Sequence, residues 1–173
     1  LRTLQDLIPE GEPHSIIWKL ASSPAHVTGE PLVSSETLTW LREHFRVALS
    51  HCKPEIDRLF ISGFFHIFYH GTTYSPIDAK WPGWLFYAET NFAPSNSIYY
   101  HFPALNKYVE NCQKILQNTK PDNDVLVYFP VQDIWHNCSY DKLLLQLTVH
   151  NYKDWLLPTG FYRTISLLDS LSV

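Results

Sequence analysis

Two ionisable side chains stand at the ends of strand-like stretches of this sequence. Residues 32–36 form a short apolar and polar run that ends at Glu36, and the aromatic, β-branched run 65–70 ends at His70. Chemistry gathers at the carboxyl ends of strands in α/β folds, where a carboxylate or an imidazole can accept or donate a proton. Glu36 and His70 are therefore the first candidates for a functional site.

The residues alone leave the role of Glu36 open. Its carboxylate suits a general base or nucleophile, a metal ligand, or a charge stabilised by the dipole of a following helix. His66 and His70 share one face of the predicted strand, but two histidines without a third ligand are a weak metal signal. The sequence has no Gly-rich phosphate loop and no nucleophile elbow. Nucleotide binding and serine hydrolysis therefore have no support.

The composition is that of a folded globular protein. The 173 residues are 45% hydrophobic, with a net charge of −4 and 13 Lys and Arg residues in no basic cluster, which excludes nucleic acid as a partner. Aromatic residues make up 15%, as in many sugar-binding proteins, although most aromatic rings lie in cores. No apolar run approaches the ~20 residues of a membrane span. The chain begins at Leu1 and contains no Met, so we expect a processed product or a piece of a longer protein.

The three cysteines show no metal-ligand spacing, and their odd number argues against a complete set of disulfides. We expect free thiols at Cys52, Cys112 and Cys138.

Helical and strand-like patterns alternate along the first part of the chain. In order, the predicted elements are a helix over 16–26 with Pro24 inside it, the strand 32–36, a helix over 39–50, a second helix from Pro54 to just before Gly63, and the strand 65–70. Alternation at this spacing predicts an α/β fold with parallel strands.

The pattern changes after Gly71. Residues 71–103 are rich in proline and aromatic residues and show no regular period, which is typical either of a functional loop or of a small core under a loop. The elements predicted beyond this stretch are a helix over 104–117, a buried strand over 124–130, a helix over 140–149 and a helix over 160–168. A composition shift near Lys120 predicts a boundary between a domain of residues 1–119 and a second α/β domain of residues 120–173.

Several stretches of the chain resemble glycoside hydrolase family 106, the α-L-rhamnosidases. Residues 25–37 (AHVTGEPLVSSET) are similar to a signature of that family, and residues 63–76 (GFFHIFYHGTTYSP) look like its final barrel strand and exit loop. The stretches PGWLFY, NFAPSNS and KPDNDVLVYFP follow in the same order. One position departs from the family pattern, since Phe65 stands where the final strand has Asn.

The resemblance implies a particular fold. Residues 1–119 would be the last strands and helices of a (β/α)8 barrel, which as a whole takes roughly 250 residues. Residues 120–173 would begin a flavodoxin-like α/β domain. The remainder of the same enzyme is then the first expected partner of this chain, and the chain alone is expected to be inactive.

The resemblance also implies a reaction. Family members are inverting glycosidases that cleave terminal α-L-rhamnosides of plant-type polysaccharides or glycosides, with two carboxylates and a calcium ion. Glu36 matches the general base, while the acid and the main calcium ligands would precede Leu1. His70, Tyr69 and Trp84 are the candidate contacts to the carbohydrate substrate, and no residue of this chain is assigned as a metal ligand.

Two other interpretations of the sequence remain open. One is a carbohydrate-binding or scaffold module without catalysis, and the other is a barrel glycosidase of β-galactosidase type that shares only the glutamate at a strand end. For the enzyme, we expect a secreted or periplasmic bacterial protein.

Overall fold

The computed structural model describes residues 16–41, 43–136 and 160–171. It is a mixed α/β structure. Its regular elements are α1 (Ile16–Thr28), β1 (Ser34–Thr37), α2 (Leu49–Ile61), β2 (His66–Tyr69), a 3₁₀ helix (Ser97–His101), α3 (Phe102–Leu116), α4 (Val131–His136) and α5 (Phe161–Ser170). In this part of the chain, no helix is long and apolar enough to cross a membrane.

The chain divides into two compact units. The first contains Trp18–Lys120, and the second contains Pro121–Val173 together with a short stretch that ends at Ile17. Within the second unit, Phe129 packs edge to face against Phe161, with ring centroids 5.1 Å apart. The domain boundary expected near Lys120 stays a prediction, because compactness alone does not define two domains.

The first unit is built around a parallel pair of strands joined through α2. β1 pairs with β2 in the register Ser34↔His66, Ser35↔Ile67, Glu36↔Phe68 and Thr37↔Tyr69. Both strands were predicted, and so was their parallel arrangement. A parallel pair requires a crossover between its strands, and α2 with its flanking loops supplies it.

One face of this strand pair is covered by helices. Residues buried on that side belong to a core that includes Leu38, Trp40, Val47, Cys52, Ile56, Phe60, Phe92, Leu105 and Val109, with Ile67 and Tyr69 packed against it. The apolar stripe of α3 supplies Leu105 and Val109, as its period predicted. A second cluster joins Trp18, Val33, Leu59 and Phe64 beneath α1.

The predicted helix over 39–50 is wrong. Residues 43–48 contain turns, Phe45 has a left-handed backbone with φ 64°, and regular helix begins only at Leu49. Val47 is buried, but Leu41, which the predicted stripe also needed, is 50% exposed. The apolar spacing reflects burial of an irregular segment, whose backbone at Trp40 pairs with Glu89 instead of forming helical hydrogen bonds.

The predicted strand over 124–130 is also wrong. The structure has no regular element there, and Val125, Leu126 and Tyr128 are exposed. A strand needs a hydrogen-bonding partner, and none of the residues that the structure describes provides one for this stretch.

Several other sequence predictions are confirmed. The helices over 16–26, 104–117 and 160–168 correspond to α1, α3 and α5, and residues 71–96 lack helices and strands. Cys52 is a buried free thiol and Cys112 a half-buried one. The predicted helix over 140–149 and Cys138 lie outside the described residues.

Candidate active site

The two faces of the strand pair differ in chemistry. Neighbours in register project from the same face of a sheet, so the Ser35 and Thr37 positions share the helix-covered face with Tyr69. Ser35 and Thr37 are fully buried there. The opposite face carries Glu36 beside Phe68, whose ring is 52% exposed. The face that carries Glu36 is therefore the one that a ligand can reach in this chain.

Glu36 and His70 meet at the carboxyl end of this face. His70 follows the last residue of β2, and its backbone N–H donates to the carbonyl of Thr37 over 3.0 Å, which extends the pairing beyond the strands. Its Nε2 lies 3.8 Å from Oε1 of Glu36, and both side chains are 30% exposed. The two side chains singled out at the strand ends are thus brought together at a half-exposed site.

The other edge of the His70 ring is held by neighbours that the sequence did not single out. Nδ1 lies 3.1 Å from the hydroxyl of Thr39, within hydrogen-bonding distance. Phe86 packs edge to face against the imidazole, with ring centroids 4.6 Å apart and planes at 89°. These contacts limit rotation of the imidazole and keep Nε2 directed at the carboxylate.

Thr39 reaches His70 because the backbone turns sharply at Leu38. Leu38 has φ 68°, in the left-handed region that non-glycine residues rarely adopt. Its side chain is only 1% exposed in the core, and its carbonyl accepts a hydrogen bond from the N–H of Thr90 over 2.9 Å. Core burial and this hydrogen bond hold a conformation that costs about 1–3 kcal/mol elsewhere, and such strain concentrates at functional sites.

A second carboxylate, Glu89, lies in the segment that follows β2. Its side chain is fully buried, Oε1 accepts a hydrogen bond from the N–H of Phe45 over 3.0 Å, and Oε2 lies 3.9 Å from Nδ1 of His44. Oε2 has no hydrogen-bond partner among the described residues. Burial raises the pKa of Glu89, although the Phe45 N–H and the nearby His44 oppose the shift. The buried position favours the neutral carboxyl, because a charge is costly away from water.

The backbone around Glu89 joins the loops that follow both strands. Glu89 exchanges backbone hydrogen bonds with Trp40 on the β1 side. On the β2 side, the N–H of Gly71 donates to the carbonyl of Thr90 over 3.3 Å, and the carbonyl of Gly71 accepts from Phe92 over 3.0 Å. We call residues 88–92 the crossing segment, since they link the two loops that carry Thr39 and His70.

Tyr69 and Trp84 lie in different environments, one in the core and the other in solvent. Tyr69 projects to the helix-covered face, where its ring lies 5.2 Å from that of Phe92 and 4.8 Å from that of Phe102. Burial raises its pKa to about 12. The structure does not bring Tyr69 together with Glu36. Trp84 is 62% exposed in the 71–96 segment, two residues before the Phe86 that contacts His70.

The side chains at this site do not make a calcium site by themselves. The described residues contain no group of three or more His, Cys, Asp or Glu side chains that could hold a metal ion. Ca²⁺ takes six to eight oxygen ligands, whereas His70 brings an imidazole nitrogen to Glu36. The calcium expected from the resemblance stays a prediction that this chain does not support on its own.

The geometry suits proton transfer to and from a small oxygen ligand. The 3.8 Å gap between Nε2 and Oε1 is longer than a hydrogen bond. An oxygen placed off the line between them, about 2.8 Å from each, would bond to both. A carboxylate that accepts a proton from such an oxygen acts as a general base.

Comparisons with known proteins agree on one family. Residues 11–143 match the family model described as alpha-L-rhamnosidase. A solved structure of a rhamnosidase from Novosphingobium sp. PP1Y is similar to this chain, with 26% sequence identity and a TM-score of 0.58. The match covers 64% of this chain but 11% of that one, so the chain corresponds to a small part of the solved protein. No curated protein matches the sequence.

Proposed function

The chain belongs to the alpha-L-rhamnosidase family, and from this membership we propose that it is part of an inverting glycoside hydrolase. Its reaction is the hydrolysis of terminal α-L-rhamnosides of plant-type polysaccharides or glycosides. The observation that carries this proposal is the pairing of Glu36 with His70 at the carboxyl end of two parallel strands.

The architecture proposed for the whole protein is a (β/α)8 barrel, with β1 and β2 as its last two strands. The parallel pairing, the crossover through α2 and the helix-covered face support it. In such a barrel the Glu36 face points inward, and the remaining strands of the same protein cover it. Residues 120–173 would then begin the following flavodoxin-like domain.

Glu36 is proposed as the general base of the reaction. In an inverting glycosidase a water attacks the anomeric carbon while one carboxylate takes its proton, and a carboxylic acid protonates the leaving oxygen. Glu36 suits the first role because it is half-exposed and lies 3.8 Å from an imidazole nitrogen, a spacing at which one oxygen beside the pair can hydrogen-bond to both. The acid comes from another part of the protein, roughly 6.5–9.5 Å from Glu36, as inverting enzymes require.

The contacts to the sugar follow from the same arrangement. His70 donates from Nε2 to the attacking water or to a sugar hydroxyl, and Trp84 offers an exposed ring for stacking. Tyr69 serves the core rather than the substrate, because its ring packs on the opposite face. The proposal also includes a calcium ion bound elsewhere in the protein and a secreted or periplasmic location.

The decisive experiment replaces Glu36 in the full-length protein. With an aryl α-L-rhamnoside as substrate, Glu36→Gln should lower kcat by about 10²–10⁴-fold, the usual contribution of a general base. Glu43→Gln is the matched control, because Glu43 lies close by in sequence with its side chain 78% exposed. Wild-type activity in Glu36→Gln would refute the assignment.

Two further measurements test the finer claims. NMR of the first product formed should show the anomer opposite to that of the substrate, and retention of configuration would refute the inverting mechanism. A chelator should lower the activity, and added Ca²⁺ should restore it. Full activity after exhaustive chelation would remove calcium from the proposal.

A further inference from the structure

The neighbours of His70 bear on which of its ring nitrogens carries the hydrogen. A neutral imidazole has two tautomers, and each leaves one nitrogen as donor and the other as acceptor. Nε2 of His70 faces the Glu36 carboxylate at 3.8 Å, and Nδ1 faces the Thr39 hydroxyl at 3.1 Å. An ionised carboxylate only accepts hydrogen bonds, whereas a hydroxyl can donate or accept.

These partners favour one neutral tautomer over the other. If Nδ1 carried the hydrogen, the Nε2 lone pair would face the negative Glu36 oxygen, which is repulsive. If Nε2 carries it, an N–H dipole points at the carboxylate and the Thr39 hydroxyl donates to the Nδ1 lone pair. Only the second arrangement avoids this repulsion and gives the Nδ1 lone pair a donor.

We propose that Thr39 is a positioning residue of this site, whose hydroxyl donates to Nδ1 of His70 and so holds the neutral imidazole with its hydrogen on Nε2, toward Glu36. The proposal rests on the proposed function for its effect on catalysis, but the hydrogen position can be measured without catalysis. In this role Thr39 acts through His70, which it contacts at Nδ1.

The surrounding fold supports this role. The left-handed backbone of Leu38 directs the chain back from β1 toward the end of β2. The crossing segment fixes the carbonyl of Leu38 through Thr90 and the backbone of Trp40 through Glu89. Thr39 therefore has hydrogen-bonded residues on both sides. The Phe86 ring, packed edge to face against the imidazole, hinders the rotation that would exchange the nitrogens.

Two substitutions separate the hydroxyl from the shape of the side chain. Thr39→Val keeps the volume and the branching but replaces the hydroxyl by a methyl, and Thr39→Ser keeps the hydroxyl. In the full-length protein, Thr39→Val should lower kcat about tenfold, below the 10²–10⁴ of a direct acid or base, with KM changed less than about twofold. Thr39→Ser should return kcat to within about twofold of wild type.

The hydrogen position is read by magic-angle-spinning NMR of protein labelled with ¹⁵N-histidine at alkaline pH, where imidazoles are neutral. The signal lost in His70→Asn identifies His70. We expect a hydrogen on Nε2 and an Nδ1 shift characteristic of an accepted hydrogen bond, which Thr39→Val removes and Thr39→Ser retains.

Three outcomes would overturn the proposal: a hydrogen on Nδ1 in the wild-type protein, full kcat in Thr39→Val, or an equal loss in Thr39→Ser. An active Glu36→Gln would instead refute the proposed function and leave the NMR result standing. Matching unfolding transitions of the Val and Ser variants show that a loss of kcat in Val alone is not a loss of fold.

Discussion

Two carboxylate–imidazole pairs of similar geometry lie in two regions of the first unit. Glu36 and His70 approach to 3.8 Å at the strand ends, and Glu89 and His44 approach to 3.9 Å beneath the loops. The imidazoles are 30% and 31% exposed, but the carboxylates differ, since Glu36 is 30% exposed and Glu89 is fully buried. Distance alone therefore does not separate a reactive carboxylate from a structural one.

The two pairs also differ in which imidazole nitrogen faces the carboxylate. His70 uses separate nitrogens for its two partners, so Nε2 is available to Glu36 while Nδ1 meets Thr39. In the other pair, Nδ1 of His44 is the atom nearest to Glu89 and also the atom that receives the side-chain amide of Asn91 over 3.0 Å. A nitrogen that accepts from Asn91 has no hydrogen to offer Glu89. The proposed proton transfer therefore fits the first pair, whereas the contacts of the second pair hold loops together.

Among the substitutions that compare the two pairs, the largest effect should come from replacing each histidine by asparagine. His70→Asn should lower kcat on an aryl α-L-rhamnoside about 100-fold, because the donor beside Glu36 is lost, with little change in the free energy of unfolding. His44→Asn should do the reverse, costing about 1 kcal/mol of stability through its lost hydrogen bond and leaving kcat within about threefold. Equal kinetic losses in both variants would contradict the distinction drawn between the pairs.

Substituting the carboxylates of the two pairs should change the free energy of unfolding by different amounts. Glu89→Ala leaves the N–H of Phe45 without its acceptor and should lower the free energy of unfolding by about 2 kcal/mol. Glu36→Gln should change it by no more than about 0.5 kcal/mol, as is usual for half-exposed positions. Urea denaturation followed by tryptophan fluorescence measures both. A Glu89→Ala variant as stable as wild type would show that the buried carboxylate holds nothing in place.

The smallest effect is a dependence of stability on pH. Because the pKa of Glu89 is raised in the folded state, the folded protein binds its proton more tightly than the unfolded chain does. The stabilisation is fully present below the unfolded value of about 4.3 and is lost as the pH rises through the folded pKa. Glu89→Gln should reduce this fall in the free energy of unfolding, measured by urea denaturation at stepped pH. A slope identical to that of wild type would mean that Glu89 titrates alike in both states.

The elements that carry Glu36 and His70 were predictable because their signals are local. A strand-like run interrupted by a carboxylate, and an aromatic run ended by His70 and Gly71, mark strands whatever else the chain does. The stripe of α3 is equally local. Parallel pairing then follows from the intervening helix, and it places both side chains at the same edge.

The supporting contacts were not predictable because they depend on backbone conformation far from the strands. The sequence pattern places Thr39 at the start of a helix. Only the left-handed backbone of Leu38 in the structure shows otherwise. Glu89 reads as an ordinary loop residue, since neither its burial nor its pairing with Trp40 leaves a periodic pattern. The same pairing explains why 39–50 was wrongly predicted as one helix.

The closure of the loop after β2 at Gly71 bears on how this site can diversify. Gly71 is hydrogen-bonded to both Thr90 and Phe92, so the chain leaves and returns at one fixed point. For a flexible loop with fixed ends, doubling the length costs only about 0.6 kcal/mol in closure entropy. Changes in loop length near Ile77, which is fully exposed and lies away from Phe86 in sequence, should therefore cost little free energy of unfolding while Glu36 and His70 stay in register. Under the proposed function, variation in the length of this loop would alter the surroundings of Trp84 without disturbing Glu36 and His70.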